Sequence, residues 1–239
     1  MKKTLFTALL ILVAGLAFAQ KNLVPNEGFD NYKKCPSDLG QIDRTDYWFT
    51  PSQGTPDFFG ACSKGGKISL GVPENYMGSQ GPKSGENYTG IISYSKRSPD
   101  YREYLAVELN SKLMADSIYY LRFHVSLADY SKFATDNIGA CVTDSLVKQV
   151  SWLPVSLEPV LISKPGKVMS EKVDWIEISG QFVAKGGEEY LIIGNFKPDK
   201  EIIIKEVNTS PVDKSGQKAY YYVDDIMLYK CFLGDCSMK

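Results

Sequence analysis

Pleated strands dominate this sequence and leave it few folds to choose from. Tyr119-Tyr-Leu-Arg-Phe-His-Val-Ser-Leu127 alternates apolar and polar side chains, and Trp175-Ile-Glu-Ile-Ser-Gly-Gln-Phe-Val183 does so again. A period of two is what a strand with one buried face requires. Further strands are expected at Asn87 to Tyr94, Tyr104 to Leu109, Asn137 to Val142, Tyr190 to Phe196 and Tyr220 to Tyr229. Most are bounded by Gly, Pro, Asn, Asp or Ser, the residues that turn a chain. Short strands at this spacing predict an all-β fold, an antiparallel β-sandwich. Two stretches break the pattern. Residues 145–170 hold Trp152, Pro154, Pro159 and Pro165 among scattered aliphatics, and residues 197–218 are polar and charged around Ile202 to Ile204. Both are expected as long connections, the second as a protruding hairpin or loop.

The N-terminus has a different character. Lys2 and Lys3 precede an apolar run from Leu5 to Phe18 that closes on Ala17-Phe18-Ala19, the pattern of a secretory signal peptide over residues 1–19. The run is shorter than the ~20 residues of a bilayer span, and nothing later approaches one, so no transmembrane span is expected in the mature chain. Residues 20–239 are then read as a single sandwich domain, exported to the periplasm, the outer-membrane surface or the medium. The formal charge is -1, and about -3 without the two leader lysines, a balance that excludes nucleic acid as a partner.

An exported chain with five cysteines points to disulfides. Cys231 and Cys236 flank Phe-Leu-Gly-Asp, whose Gly-Asp pair lets the chain turn tightly enough for the sulfurs to meet, and Cys35 with Cys62 brackets a loop-rich segment. By the chain-entropy model the two closures are worth about 2 and about 3.5 kcal/mol. Cys141, inside the apolar Ile138-Gly-Ala-Cys-Val142, is left over and expected to be buried.

Acidic motifs mark both ends of the mature chain: Asn22-Leu-Val-Pro-Asn-Glu-Gly-Phe-Asp30 and Tyr220-Tyr-Tyr-Val-Asp-Asp-Ile226. If the fold lays the first and last strands together, their carboxylates repel unless a cation or a set of hydrogen-bond donors compensates them. Calcium is the natural cation, with Asp30 and Asp224 as ligands and Asp225 next. In a regularly alternating strand Asp224 shares a face with Ile226 and Leu228, and Asp225 with Val223 and Met227.

The order of these motifs, with Trp48, Ser84-Gly-Glu-Asn-Tyr88 and Arg102-Glu-Tyr-Leu105 between them, resembles galactose-binding-like jelly-roll domains, which include many carbohydrate-binding modules. Val125-Ser-Leu-Ala-Asp-Tyr-Ser131 and Ala134-Thr-Asp-Asn-Ile-Gly139 look more narrowly like exported surface proteins of Gram-negative bacteria. In that group the domain often precedes a peptidoglycan-anchoring or secretion-sorting domain. The resemblance spans residues 22–230 and implies a jelly roll, a structural calcium held by the matches to Asp30 and Asp224, and a carbohydrate ligand.

Sugar recognition uses flat aromatic faces and a few polar groups. The loop aromatics Trp48, Phe58, Phe59, Tyr76, Tyr101, Tyr130 and Trp152 are candidates, with Arg102 and Asp129 as hydrogen-bonding partners. Trp48 also suits a core. There is no Gly-x-Ser-x-Gly elbow, no His-Glu-x-x-His and no phosphate-binding glycine loop, and His124 stands alone in a strand, so the chain reads as a non-enzyme. The alternative to a carbohydrate-binding module is a structural or assembly subunit that offers its loops to a cell-envelope protein.

Overall fold

The computed structural model describes residues 21–63, 65, 68–208, 217–232 and 236. Two five-stranded antiparallel sheets face each other. The first runs in the order β1 (Trp48–Phe49), β6 (Tyr104–Glu108), β12 (Tyr190–Gly194), β9 (Gly139–Thr143), β10 (Leu161–Ile162). The second runs β11 (Ile176–Val183), β7 (Ile118–Leu127), β14 (Lys218–Lys230), β5 (Asn87–Ser95), β2 (Asp57–Gly60). Two small antiparallel pairs complete the set, β3 (Glu74–Asn75) with β4 (Gly78–Ser79) and β8 (Phe133–Thr135) with β13 (Ile204–Glu206). From β5 to β6, on to β7, to β9 and later from β11 to β12, the chain crosses from one sheet to the other. That winding makes the sandwich a jelly roll, as expected.

The alternation read from the sequence drives the packing. Leu121, Phe123, Val125 and Leu127 of β7 join Tyr221 and Val223 of β14 on one side of the core, facing Leu105, Val107, Leu191 and Ile193 of the first sheet. On the outer side of the second sheet, Phe59, Tyr88, Tyr220 and Tyr222 form a second cluster. Residues 68–80 cover it, so aromatic residues on both faces of this sheet are buried.

Three expectations need correction. The segment 22–30 is not a strand: it runs beside β14 without regular pairing, held by Leu23 N–H to the Leu228 carbonyl at 2.7 Å, by Ile226 N–H to the Glu27 carbonyl at 3.1 Å and by the Asn22 side chain. The ends are therefore adjacent as anticipated, through a bent segment with positive φ at Asn26 and Phe29. Second, β14 does not alternate regularly. Its register against β7 shifts between Asp224 and Met227, and Asp225 takes φ 52°, so Val223 and Ile226 both enter the core while the two aspartates are turned away from it. Third, Ile204–Glu206 does not form a free hairpin but pairs with β8. Residues 209–216 and residues 1–20, which include the expected leader 1–19, lie outside the described residues.

Both disulfides form, Cys35–Cys62 and Cys231–Cys236, and Cys141 is free and buried in β9. Burial also pushes the Cys141 thiol well above its ordinary range. Thiol titration of the unreduced protein is expected to find no reactive cysteine in the native state and one after unfolding.

Candidate functional site

The junction of the two chain ends is organised by carboxylates that grip one loop. Asp224, at 0% exposure, accepts the backbone N–H groups of Lys83 (2.7 Å) and Ser84 (3.0 Å) on Oδ2 and that of Asp225 (2.7 Å) on Oδ1. Asp30 accepts the Glu86 N–H at 2.9 Å and the Asn87 side-chain amide at 3.0 Å on Oδ1. Residues 83–87 are thus pinned by both ends of the chain. Gly85 is obligatory there, because its φ is +60° and a Cβ would lie 1.7 Å from Asp30 Oδ2. Burial pushes the Asp224 carboxyl up to about 7, against the lowering pull of the Ser84, Asp225 and Lys83 N–H groups.

Asp225 lies beside different partners. Its Oδ2 is 2.9 Å from Arg122 Nη2 and 3.1 Å from His124 Nδ1, the latter off the line of a straight hydrogen bond. His124 and Arg122 hold this carboxyl below the ordinary carboxylate range. Asp30 and Asp225 both line a polar pocket of about 270 Å³ with Asn26, Glu27, Gly28, Asn31, Ser84 and Gly85. The three aspartates therefore do not converge as one ligand set. Asp224 meets N–H donors on both oxygens, the wrong polarity for a cation ligand. Among the described residues no three His, Cys, Asp or Glu side chains gather as a metal centre. Calcium takes carboxylate and neutral oxygens, and the pocket lining presents both, with Asp225 Oδ2 already paired to Arg122.

The residues proposed for ligand contact separate into groups. Arg102 is fully buried, and each guanidinium nitrogen is engaged: Nε and Nη2 donate to the Lys197 carbonyl, Nη1 to the Tyr101 carbonyl, and Nη2 also to Asp199 at 2.8 Å. It ties loops together instead of facing solvent. Phe58 and Phe59 are not loop residues but buried positions of β2, and Trp48 is a core residue whose Nε1 donates to the Asn26 carbonyl. Asp129 accepts Ser79 N–H at 2.8 Å, and Tyr130 N–H donates to the Met77 carbonyl, so this pair anchors the cover segment. Tyr76, a member of that segment, packs on Phe59 and Tyr220.

The Tyr101 turn and the Trp152 loop are joined through the backbone. The Arg102 N–H donates to the Trp152 carbonyl at 2.8 Å, which joins the loop of Trp152 to the turn of Tyr101. Trp152 is 49% exposed, and Tyr101 is half-buried. The Trp152 loop is braced by Gln149 N–H to the Pro51 carbonyl and Gln53 N–H to the Ser151 carbonyl. Leu146, Val150 and Leu153 are exposed in the same connection.

Beneath Tyr101 lies a pair of acids that the sequence did not single out. Glu103, 2% exposed, accepts the Tyr101 hydroxyl at 2.8 Å and the Ile92 N–H at 2.8 Å. Asp57, 4% exposed, accepts the hydroxyls of Tyr220 (2.5 Å) and Tyr76 (2.9 Å) and the Gly40 N–H (2.6 Å). Gly90 makes this possible, since a Cβ there would lie 2.2 Å from the Tyr220 hydroxyl. Burial raises both carboxyls above the ordinary range, and the charge of Asp57 raises Glu103 further. Lys218 stands near both acids, with burial lowering its own pKa. The only signal in the sequence was the acid type itself, because every partner outside the Tyr101 turn is distant along the chain.

No family model matches the sequence, and no curated protein matches it significantly. Among solved structures, an arabinose-bound α-L-arabinofuranosidase aligns at TM-score 0.46 and 9% identity over 89% of this chain and 27% of that one. A xylan-binding domain from Paenibacillus barcinonensis aligns at TM-score 0.39 and 10% identity, covering 82% and 97%. A cleaved adhesin domain of Lys-gingipain from Porphyromonas gingivalis aligns at 0.41 and 12%, covering 84% and 95%. At these scores the likeness carries no argument about ligand or activity, and the fold rests on the strand pairing itself.

Two substitutions test the clamp at residues 83–87. Asp224→Ala leaves the Lys83 and Ser84 N–H groups without their acceptor and is expected to cost about 2–3 kcal/mol in urea unfolding. Gly85→Ala, strained in φ and in collision with Asp30, is expected to destabilise by a similar amount, about 2 kcal/mol or more.

Proposed function

We propose that this chain is an exported, non-catalytic binding module whose ligand surface surrounds Trp152 and Tyr101, with carbohydrate as the leading ligand. One observation carries the reading: a half-exposed indole and a half-buried phenol on loops joined by backbone hydrogen bonds and backed by the rigid first sheet. An aromatic face held in this way suits the apolar side of a sugar ring, and neighbouring hydroxyls such as Thr55 suit its polar rim. The non-catalytic reading is supported by the placement of the raised acids. Asp57 and Glu103 are sealed beneath their phenol and backbone donors, out of reach of a reacting substrate atom. Export is consistent with two disulfides, which persist in oxidising compartments.

A structural calcium belongs to the same reading, held in the polar pocket by Asp30 and Asp225 with neutral oxygens from its other lining residues. It would neutralise the acids there and fasten the N-terminal segment to β14.

One observation favours a second reading, a docking surface for a cell-envelope protein. Val150 is 87% exposed, and with Leu146, Trp152 and Leu153 it makes an apolar stretch on one connection. A glycan array probed with the purified protein separates the two. The carbohydrate reading predicts binding that Trp152→Ala weakens about fivefold or more, since an aromatic stacking contact contributes of the order of 1 kcal/mol beyond area burial. No glycan bound, together with specific co-purification of an envelope protein lost in the same variant, supports docking instead. For the ion, calcium is expected to raise the melting temperature of chelator-treated protein, and Asp30→Asn to remove that rise. An identical melting curve with and without calcium contradicts the ion.

A further inference from the structure

Asp57 opens β2 of the second sheet and Glu103 immediately precedes β6 of the first, yet both carboxyls lie in one buried cluster. Several elements converge on it. The segment 68–80 contributes Tyr76, β14 contributes Lys218 and Tyr220, β5 contributes the Ile92 N–H, and the loops contribute Gly40, Thr55 and Tyr101. Lys218 Nζ lies 4.9 Å from the Tyr220 ring centroid and 5.6 Å from that of Tyr76, a cation set over two aromatic faces. Among the described residues, the ionisable groups facing the acid pair are therefore Lys218 and the phenols of Tyr76, Tyr101 and Tyr220.

Charge balance in this cluster depends on one proton. With Lys218 charged and Asp57 ionised, the cluster is neutral only while Glu103 holds its proton. Loss of that proton leaves two buried carboxylates against one ammonium, and an uncompensated charge in low dielectric favours the entry of water. The outlet for that strain is the end of the cover segment. Tyr76 is its contribution to the cluster and is only partly buried, whereas Tyr220 is locked in the sheet.

We propose that the Asp57–Glu103–Lys218 cluster is a proton-held clasp, which fastens the Tyr76 end of residues 68–80 over the tyrosine face of the second sheet and slackens in mildly alkaline medium. Both acids titrate higher when folded than when unfolded, so their contribution to stability is present at low pH and is lost as the pH rises above the ordinary carboxylate range. Other ties of the segment, among them Asn75 to Tyr88 and Tyr222, the Ser79 N–H to Asp129, the Tyr130 N–H to the Met77 carbonyl and Gln80 to Ser126, contain no member of the clasp. The loosening is accordingly local.

Residue-resolved hydrogen exchange, corrected for intrinsic rates, tests this between pH 6 and 9. The Tyr76 amide, which donates to the Ser69 carbonyl, is expected to lose protection tenfold or more in the wild type, while Ile192 in the first sheet changes less than twofold. Glu103→Gln, which cannot ionise, is expected to hold Tyr76 within twofold across the range. Lys218→Met removes the compensating cation, raises the proton affinity of both acids, and is expected to move the loss to higher pH. The clasp is overturned by a flat wild-type profile, by an equal loss in Glu103→Gln, or by a parallel loss at Ile192. Should Glu103→Gln not fold, Lys218→Met decides: an unmoved or downward-shifted profile overturns it.

Discussion

Buried carboxylates, each answered by hydrogen-bond donors, hold the loops of this protein onto its sandwich. An isolated charge inside a protein is prohibitively costly, and one that accepts several N–H or phenol hydrogen bonds is not. Buried Asp224 and surface-exposed Asp30 both use such bonds to pin residues 83–87 and so join the chain ends. Asp57 and Glu103 join the two sheets and the cover segment, and Asp199 with Arg102 joins the loops near Tyr101. Asp136 does the same for Gly166 and Ile203. The apolar core makes the sandwich, and these acids decide where its irregular segments are fastened.

The strands were legible because burial of one face leaves a period of two in the sequence, and β7 and β11 show it almost residue for residue. The same rule misled at β14. A register shift and a left-handed Asp225 break the alternation, and nothing in Val-Asp-Asp-Ile announces a bulge. Phe58 and Phe59 were misplaced for a related reason: consecutive aromatics read as loop decoration, but the second sheet buries both faces, so both are core. Arg102 looked like a ligand contact because its carbonyl and carboxylate partners, Lys197 and Asp199, lie about a hundred residues away. Asp57 was invisible on the same ground, since Tyr220 is 163 positions distant.

These placements shape the functional reading. Of the aromatics that the sequence offered for ligand contact, the sandwich absorbs Trp48, Phe58 and Phe59, and the cover segment engages Tyr76 and Tyr130. Trp152 is half-exposed, on a loop whose carbonyl accepts the N–H of Arg102, next in the chain to Tyr101. Binding residues on braced loops above a rigid sheet are a common division of labour, because the scaffold supplies the order that recognition needs. Tyr101 also touches Glu103, so the surface proposed for ligand and the buried acid pair meet at one hydroxyl.

The claim common to Asp224, Asp57 and Glu103 is that donors strong enough to organise the loops are too few to offset burial and keep these three carboxyls at their ordinary acidity. Carboxyl carbon-13 NMR titration reads that directly. The account predicts a midpoint near 7 for Asp224 and midpoints above the ordinary carboxylate range for Asp57 and Glu103. Titration of all three near pH 4, as for solvated side chains, would contradict it.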